Sequence, residues 1–150
     1  MNICIVYDTY SSSTETVVGI VDIYLKEKNY TVTIKRMRDG AAIADLKNTD
    51  LTIFATPSWF ERKQEGQPHS SFLHFIDSAQ NESFSGMRYA LIGLGDSTYA
   101  RFCNGIVELG KFLEQHNGAQ IGETLKLDSF FFDEKRQTER LAEWLEQLPL

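Results

Sequence analysis

Asn2–Tyr7 reads NICIVY, and residues 9–14 shortly after it read TYSSST. The first stretch is a short apolar run rich in β-branched residues. It has no polar alternation, the pattern of a strand buried on both faces. In the second, five of six residues are Ser or Thr. A helical pattern then opens over residues 14–28, with Val17, Val18, Val21, Tyr24 and Leu25 along one stripe. Buried strand, hydroxyl-rich turn and amphipathic helix form the opening unit of an alternating chain.

The same alternation continues to the end of the chain. Val32 and Ile34 alternate with Thr31, Thr33 and Lys35 as a second strand, and residues 41–46 form a short helix. Residues 51–55 (LTIFA) are a third buried strand. Residues 70–79 carry Phe72, Leu73, Phe75 and Ile76 at helical spacing. Residues 88–94 (RYALIGL) are a fourth strand. Residues 102–117 place Ile106, Leu109, Phe112 and Leu113 on one helical face, with Gly118 as a stop that takes positive φ. Residues 121–127 form a fifth strand broken by Gly122. Residues 136–148 close the chain with Leu141, Trp144, Leu145 and Leu148 inward. Five strands alternating with five helices predict a three-layer α/β fold with a doubly wound parallel sheet. Right-handed crossovers make the strand order 2-1-3-4-5 the expected one. The absence of repeats, low-complexity segments and linkers predicts a single domain over residues 1–150.

Composition narrows the function classes. Fifteen basic and twenty-one acidic side chains give a net charge of −6. That balance argues against nucleic acid or an anionic membrane as the main partner and allows a basic protein. No apolar run approaches the ~20 residues that span a bilayer. The start lacks a basic region and a long apolar stretch, so no signal peptide is expected. Cys4 and Cys103 form no CxxC motif. Two buried thiols in a reducing cytoplasm are the simplest reading. His69, His74 and His116 have no ligand-like spacing, and no metal site is expected.

Sheets of this order bind ligands beyond the carboxyl ends of the strands, at the switch point between strands one and three. Three loops meet there. Thr9, Tyr10, Ser11, Ser12, Ser13 and Thr14 lead into a helix N-terminus, whose free N–H groups and partial positive charge suit a phosphate. With no Lys or Arg between Tyr7 and Thr16, binding would use neutral donors. Alone, the loop also reads as a solvated turn with one residue capping the helix. The second loop, residues 56–69, is long and without evident structure, and holds Trp59 and Phe60. Trp59 either tucks beneath it or presents a face to a ligand. The third, Gly93-Leu94-Gly95-Asp96-Ser97-Thr98-Tyr99, lets backbone approach a ligand closely. There Asp96 can accept from a ring N–H, and Tyr99 adds a second aromatic. Together the loops describe a pocket for a phosphorylated flat ring.

At this point the chain resembles the flavodoxins over essentially its whole length. The run GLGDSTYARFC, Gly93 to Cys103, is very similar to the family's flavin-ring loop. TYSSST matches its phosphate loop at all but one position, and Ser58-Trp59 resembles its second ring loop. Residues 118–127 (GAQIGETLKL) carry no long insertion, which resembles the short-chain class. The resemblance implies non-covalent FMN binding and one-electron transfer between a reductase, expected to be basic, and an acceptor enzyme. It implies that Thr9, Ser11, Ser13 and Thr14 hold the phosphate, with Tyr10 and Ser12 in the same loop. Trp59 and Tyr99 would sandwich the ring, flanked by Pro57, Ser58 and Phe60. The backbone of Gly95 and Asp96 would read its pyrimidine end. Gly93, Leu94, Phe102 and Cys103 complete the third loop. A monomer without a substrate of its own is expected.

Several residues depart from the family pattern. Ser12 replaces the phosphate-loop glycine, and a positive φ there would be strained. Asp8 would repel a phosphate unless it turns aside and caps loop N–H groups. Phe60 replaces the glycine that often follows the ring-loop Trp. The resemblance implies that this peptide reorients on one-electron reduction, which a bulky residue resists. Arg62 and Lys63 would ease formation of the anionic reduced ring if they face it. Phe130-Phe131-Phe132 either packs on the last helix or forms an apolar docking patch. Four alternatives stay open. The start Tyr7-Asp8-Thr9 is similar to that of small flavodoxin-like activators of ribonucleotide reductase. An NAD(P)H-dependent quinone reductase would need a nicotinamide site. A signalling receiver would need an aspartate ending strand three, where Ala55-Thr56-Pro57 stands. Asp8 and Ser12 motivate a fold that has lost its flavin.

Overall fold

The computed structural model describes residues Met1–Leu150. In chain order the elements are β1 (Asn2–Tyr7), α1 (Ser12–Glu27), β2 (Thr31–Arg36), a 3₁₀ turn (Met37–Asp39), α2 (Ile43–Lys47) and β3 (Leu51–Pro57). There follow β4 (Trp59–Glu61), β5 (Gln64–Gln67), α3 (Ser70–Ser78), β6 (Arg88–Gly95) and α4 (Asn104–Gln115). β7 (Ala119–Gln120), β8 (Leu125–Asp128), a 3₁₀ turn (Phe130–Phe132) and α5 (Glu134–Gln147) complete the chain.

The main sheet runs β2-β1-β3-β6, and β7 and β8 both pair with β6 in parallel. β7 and β8 share the fifth position, so the expected order 2-1-3-4-5 holds with its last strand in two pieces. Gly122 separates them at φ +64, and a Cβ there would meet Leu148 Cδ2 at 2.7 Å. Side-chain alternation splits each central strand between two cores. Ile3, Ile5, Tyr7 and Ile53 join Val17, Val21, Leu141 and Leu145 beneath α1 and α5. Cys4, Val6 and Phe54 join Phe72, Ile106 and Leu109 beneath α3 and α4. Burial of each large apolar side chain contributes roughly 1.5–3 kcal/mol. The cores therefore need no disulfide, and both cysteines are free and buried. β2 is an edge strand, which leaves Ile34 41% exposed.

The structure departs from the sequence expectations at several elements. Residues 56–69 are not structureless: β4 and β5 pair antiparallel. Arg62 (φ 48) and Lys63 (φ 62) form their two-residue turn, the backbone a tight hairpin demands. The pattern was hidden because this ribbon is short and buried only at Gly66, which leaves no alternation of faces. α1 begins two residues early, at Ser12, since hydroxyl residues tolerate a first helical turn. α4 begins at Asn104, because Cys103 at φ 51 ends the preceding loop. Gly118 is not the positive-φ residue after α4. Asn117 takes that role at φ 72, a conformation Asn tolerates. Gly118 is needed for close approach instead. A Cβ there would stand 2.9 Å from Tyr89 Cε1 and 3.0 Å from the Leu113 carbonyl oxygen. We therefore expect Gly118→Ala to lower stability by about 1–3 kcal/mol in urea denaturation. Asn117→Gly should change it by less than ~1 kcal/mol. A neutral Gly118→Ala would show that Tyr89 yields without cost.

Candidate functional site

The loop after β1 is organised by Asp8, whose side chain is fully buried. Its carboxylate accepts from Arg36 Nη2 at 2.8 Å, Arg38 Nε at 3.1 Å, Arg38 N at 3.0 Å and Thr9 N at 3.0 Å. Arg38 Nη2 also donates to the Thr9 carbonyl at 3.3 Å. Burial pushes the Asp8 pKa up. Hydrogen bonds from Ser71, Arg36 and the Thr9 N–H, with His69 alongside, outweigh that and hold it at about 2. Asp8 thus turns aside, toward the end of β2, and its charge is spent on two guanidiniums.

That turn leaves the start of α1 open. Ser11 precedes the helix in extended conformation, and its side chain caps no N–H group. Ser12 is the first helical residue and has no positive φ, so replacing glycine creates no backbone strain. Thr9 donates to the Ser11 carbonyl, and the Ser11 and Ser13 hydroxyls lie 3.2 Å apart. Thr14 is fully buried, and its Oγ1 has no hydrogen-bond partner. A buried unpaired hydroxyl costs about 1–3 kcal/mol, so its presence at a helix N-terminus fits an anion that would accept from it.

Ser58 opens the second loop and ties it to the third. Its N–H donates to the Leu94 carbonyl at 2.9 Å, and its Oγ accepts from Gly105 N at 2.8 Å. Ser58 therefore caps α4 from another loop, where Cys103 makes no side-chain cap. Asn104 Nδ2 donates to the Gly66 carbonyl at 2.8 Å, which docks the hairpin on the same helix. Trp59 does not tuck under the loop: it is 49% exposed, and Phe60 is 68% exposed. Phe60 lies in β4 without positive φ. Arg62 pairs with Asp77 at 2.7 Å, and neither it nor Lys63 lines the groove described below.

The third loop holds itself. Asp96 Oδ1 accepts from Thr98 N at 2.9 Å and Thr98 Oγ1 at 2.6 Å, so this oxygen is engaged locally. Ser97 bonds Asp128 through both N–H and hydroxyl, at 2.9 and 2.5 Å. Tyr99 is left 62% exposed. Gly93 is needed for packing: a Cβ would meet Ile106 Cγ2 at 2.4 Å. Cys103 is buried, and burial pushes its thiol pKa up to about 12, which keeps it an inert neighbour.

Between these loops runs a groove of about 750 Å³. Ser11 and Ser13 line it from the first loop, and Pro57, Ser58, Trp59 and Phe60 from the second. The third loop contributes Leu94, Gly95, Asp96, Tyr99, Phe102 and Cys103. Thr9, Tyr10, Ser12, Thr14 and Gly93 do not line it. The Tyr10 side chain reaches across to His69 and Trp59. Sequence reasoning had not placed Glu65, Gly66, Arg101 or Ser129 here, yet all four line the groove. Glu65 and Gly66 stand on β5, and Arg101 and Ser129 on irregular segments, none with a periodic signal. Phe130 is buried, whereas Phe131 is 51% and Phe132 96% exposed at the rim.

Asp8 has a sign that can be checked. Its folded pKa lies below the ordinary carboxylate value, so it contributes stability at pH values above ~4 that is lost as pH falls toward 2. The stability gap between the wild type and Asp8→Asn, measured in urea, should shrink by about 2 kcal/mol from pH 5 to pH 2. A gap independent of pH would show that the buried carboxylate is not the charged partner.

The family model for flavodoxin matches residues 5–144 of this chain. A flavodoxin of Maridesulfovibrio salexigens is 32% identical over 125 residues, spanning 83% of this chain and 84% of the relative. A MioC homolog of Haemophilus influenzae is 25% identical over 147 residues, spanning 97% and 94%. Among solved structures, a Fusobacterium nucleatum flavodoxin bound to flavin mononucleotide superposes with TM-score 0.81 at 20% identity, covering 97% of this chain and 95% of that one. Oxidised flavodoxin 2 of Bacillus cereus gives 0.83 at 22% identity, covering 95% and 94%. The solved structures share the fold, and the family match takes in all three loops and the sheet from Ile5 onward: this chain belongs to the flavodoxin family.

Proposed function

We infer that this protein is an electron carrier that binds FMN non-covalently in the groove and converts no substrate of its own. The observation that carries the reading is the uncapped N-terminus of α1 with the buried, unpartnered Thr14 hydroxyl, opening beside a groove edged by Trp59 and Tyr99. Ser11, Ser13 and Thr14, with the first N–H groups of α1, would hold the phosphate through neutral donors. With Asp8 paired to Arg36 and Arg38, the repulsion expected of a carboxylate beside a phosphate is removed.

Trp59 and Tyr99 would take the two faces of the ring. Pro57, Phe60, Leu94, Phe102 and Cys103 would supply apolar walls, with the Ser58 hydroxyl turned to the Gly105 N–H. The backbone of Gly95 and Asp96 would meet the polar edge of the ring, the Asp96 side chain being bonded to Thr98. Bound there, FMN supplies one-electron transfer. The chain's own part is to hold the ring, shield it and leave an edge open to a partner. Asp8 and Ser12, which raised the possibility of a lost flavin, give no support to it: one is neutralised and the other helical.

The finer reading is an exchange between a basic reductase and an acceptor enzyme. Net charge −6 favours steering by a basic partner, and Phe131 and Phe132 offer exposed apolar contact beside the groove. A monomer of one domain, residues 1–150, in the cytoplasm fits two buried unpaired thiols. No helix is long and apolar enough to cross a membrane.

Titrating the flavin-free protein with FMN should quench flavin fluorescence strongly, with affinity at or below micromolar. Thr14→Val should weaken FMN by about 10-fold and leave riboflavin, which has no phosphate, unchanged. No quenching at micromolar protein would overturn the reading. Equal losses for both ligands would move the phosphate away from α1.

A further inference from the structure

Tyr10 belongs to the loop after β1, yet its side chain leaves that loop. Its ring stacks on His69 with centroids 3.9 Å apart and planes at 25°. It meets Trp59 edge-on, at 5.5 Å and 76°. Its hydroxyl accepts from the Ser70 N–H at 2.8 Å and donates to the Glu61 carboxylate. One side chain of the first loop therefore touches β4 and the start of α3 together. His69 behind it is 5% exposed. Its Nδ1 accepts from Ser71 N at 3.1 Å and lies 3.7 Å from Asp8 Oδ2.

We propose that Tyr10 and His69 are positioning residues that brace Trp59 against the loop after β1, so that the ring wall and the phosphate cradle shift as one unit. The proposal rests on reading the groove as an FMN site. The hairpin that carries Trp59 pairs with no strand of the main sheet, and a lone two-stranded ribbon is marginal in water. On one side it is held to α4 through Gly66 and Ser58. On the other, Tyr10 bonds Glu61 and packs against Trp59. Behind Tyr10, His69 is held by the Ser71 N–H and lies 3.7 Å from Asp8, the residue that sets the course of the first loop.

His69 gives the brace a readable handle. It is faced by Asp8 from the loop after β1, by Arg36 and Arg38 from the end of β2 and its 3₁₀ turn, and by Glu61 and Tyr10. Burial lowers its pKa below the ordinary 6.5, against the opposing pull of Asp8. In the neutral ring Nδ1 is an acceptor for Ser71 N–H. A proton on Nδ1 removes that bond and creates a donor toward Asp8. The ring then turns, and Tyr10, stacked on it, carries the change to Trp59.

The test follows the Trp59 indole N–H by NMR in the full chain without FMN, distinguished from Trp144 by Trp59→Phe. In the wild type this resonance should shift as pH falls below 6.5. Tyr10→Phe should keep the shift, and His69→Gln and Tyr10→Leu should abolish it. Tyr10→Leu should also weaken FMN and riboflavin alike, by about 3- to 10-fold, the size of one aromatic pair. A Trp59 shift that persists in Tyr10→Leu overturns the proposal, as does a loss confined to FMN. Should Tyr10→Leu not fold, an unchanged shift in His69→Gln overturns it by itself. A wild type that binds no FMN would overturn the functional reading instead, and the NMR titration would still decide the brace.

Discussion

An ionised carboxylate without exposed surface is tolerated only where donors surround it, and at Asp8 they do. They come from the next residue, from the last residue of β2 and from the 3₁₀ turn that follows it. Meeting all of them draws the carboxylate sideways to the edge of the sheet. The chain must then climb over Asp8 to reach α1, and it arrives with Ser11 extended and its side chain off the helix N-terminus. The free N–H groups and the unpaired Thr14 hydroxyl follow from that path. Removing the charge would release two guanidiniums and the loop they hold. The cost falls mainly on the buried carboxylate, since both guanidiniums keep contact with water.

The other two loops are coupled to one another rather than to the sheet alone. Ser58 caps a helix that begins some forty-five residues later in the chain, and Asn104 returns a bond to the hairpin. Gly66 and Gly105 permit this contact. A Cβ on Gly105 would stand 2.8 Å from the Pro68 backbone, and one on Gly66 2.7 Å from Arg101 Cβ. The third loop is fastened from its far side by Asp128 at the end of β8. Trp59 and Tyr99 thus sit on backbones that are fixed although their side chains are exposed. A protein that exchanges electrons without bond chemistry needs such walls, because a ring that is not reoriented loses little energy to rearrangement.

Much of this was legible in the sequence. The buried runs at residues 2–7 and 51–55, the stripe through Val17 and Val21, and the right-handed connections between them are enough to set the fold and its strand order. They are also enough to bring three loops to one edge, which makes Ser11, Trp59 and Tyr99 neighbours by topology alone. Periodicity records which faces lie inside, and that information is local. What only the tertiary structure decided is which polar group answers which. Asp8 finds Arg36 twenty-eight residues away, and Tyr10 finds Ser70 sixty away. Arg62 turns to Asp77 instead of the groove. The hairpin at residues 59–67, buried only at Gly66, left no alternation of faces to read. Hydrogen bonds and ion pairs are set by direction and distance across the packed chain, and no spacing along the sequence encodes them.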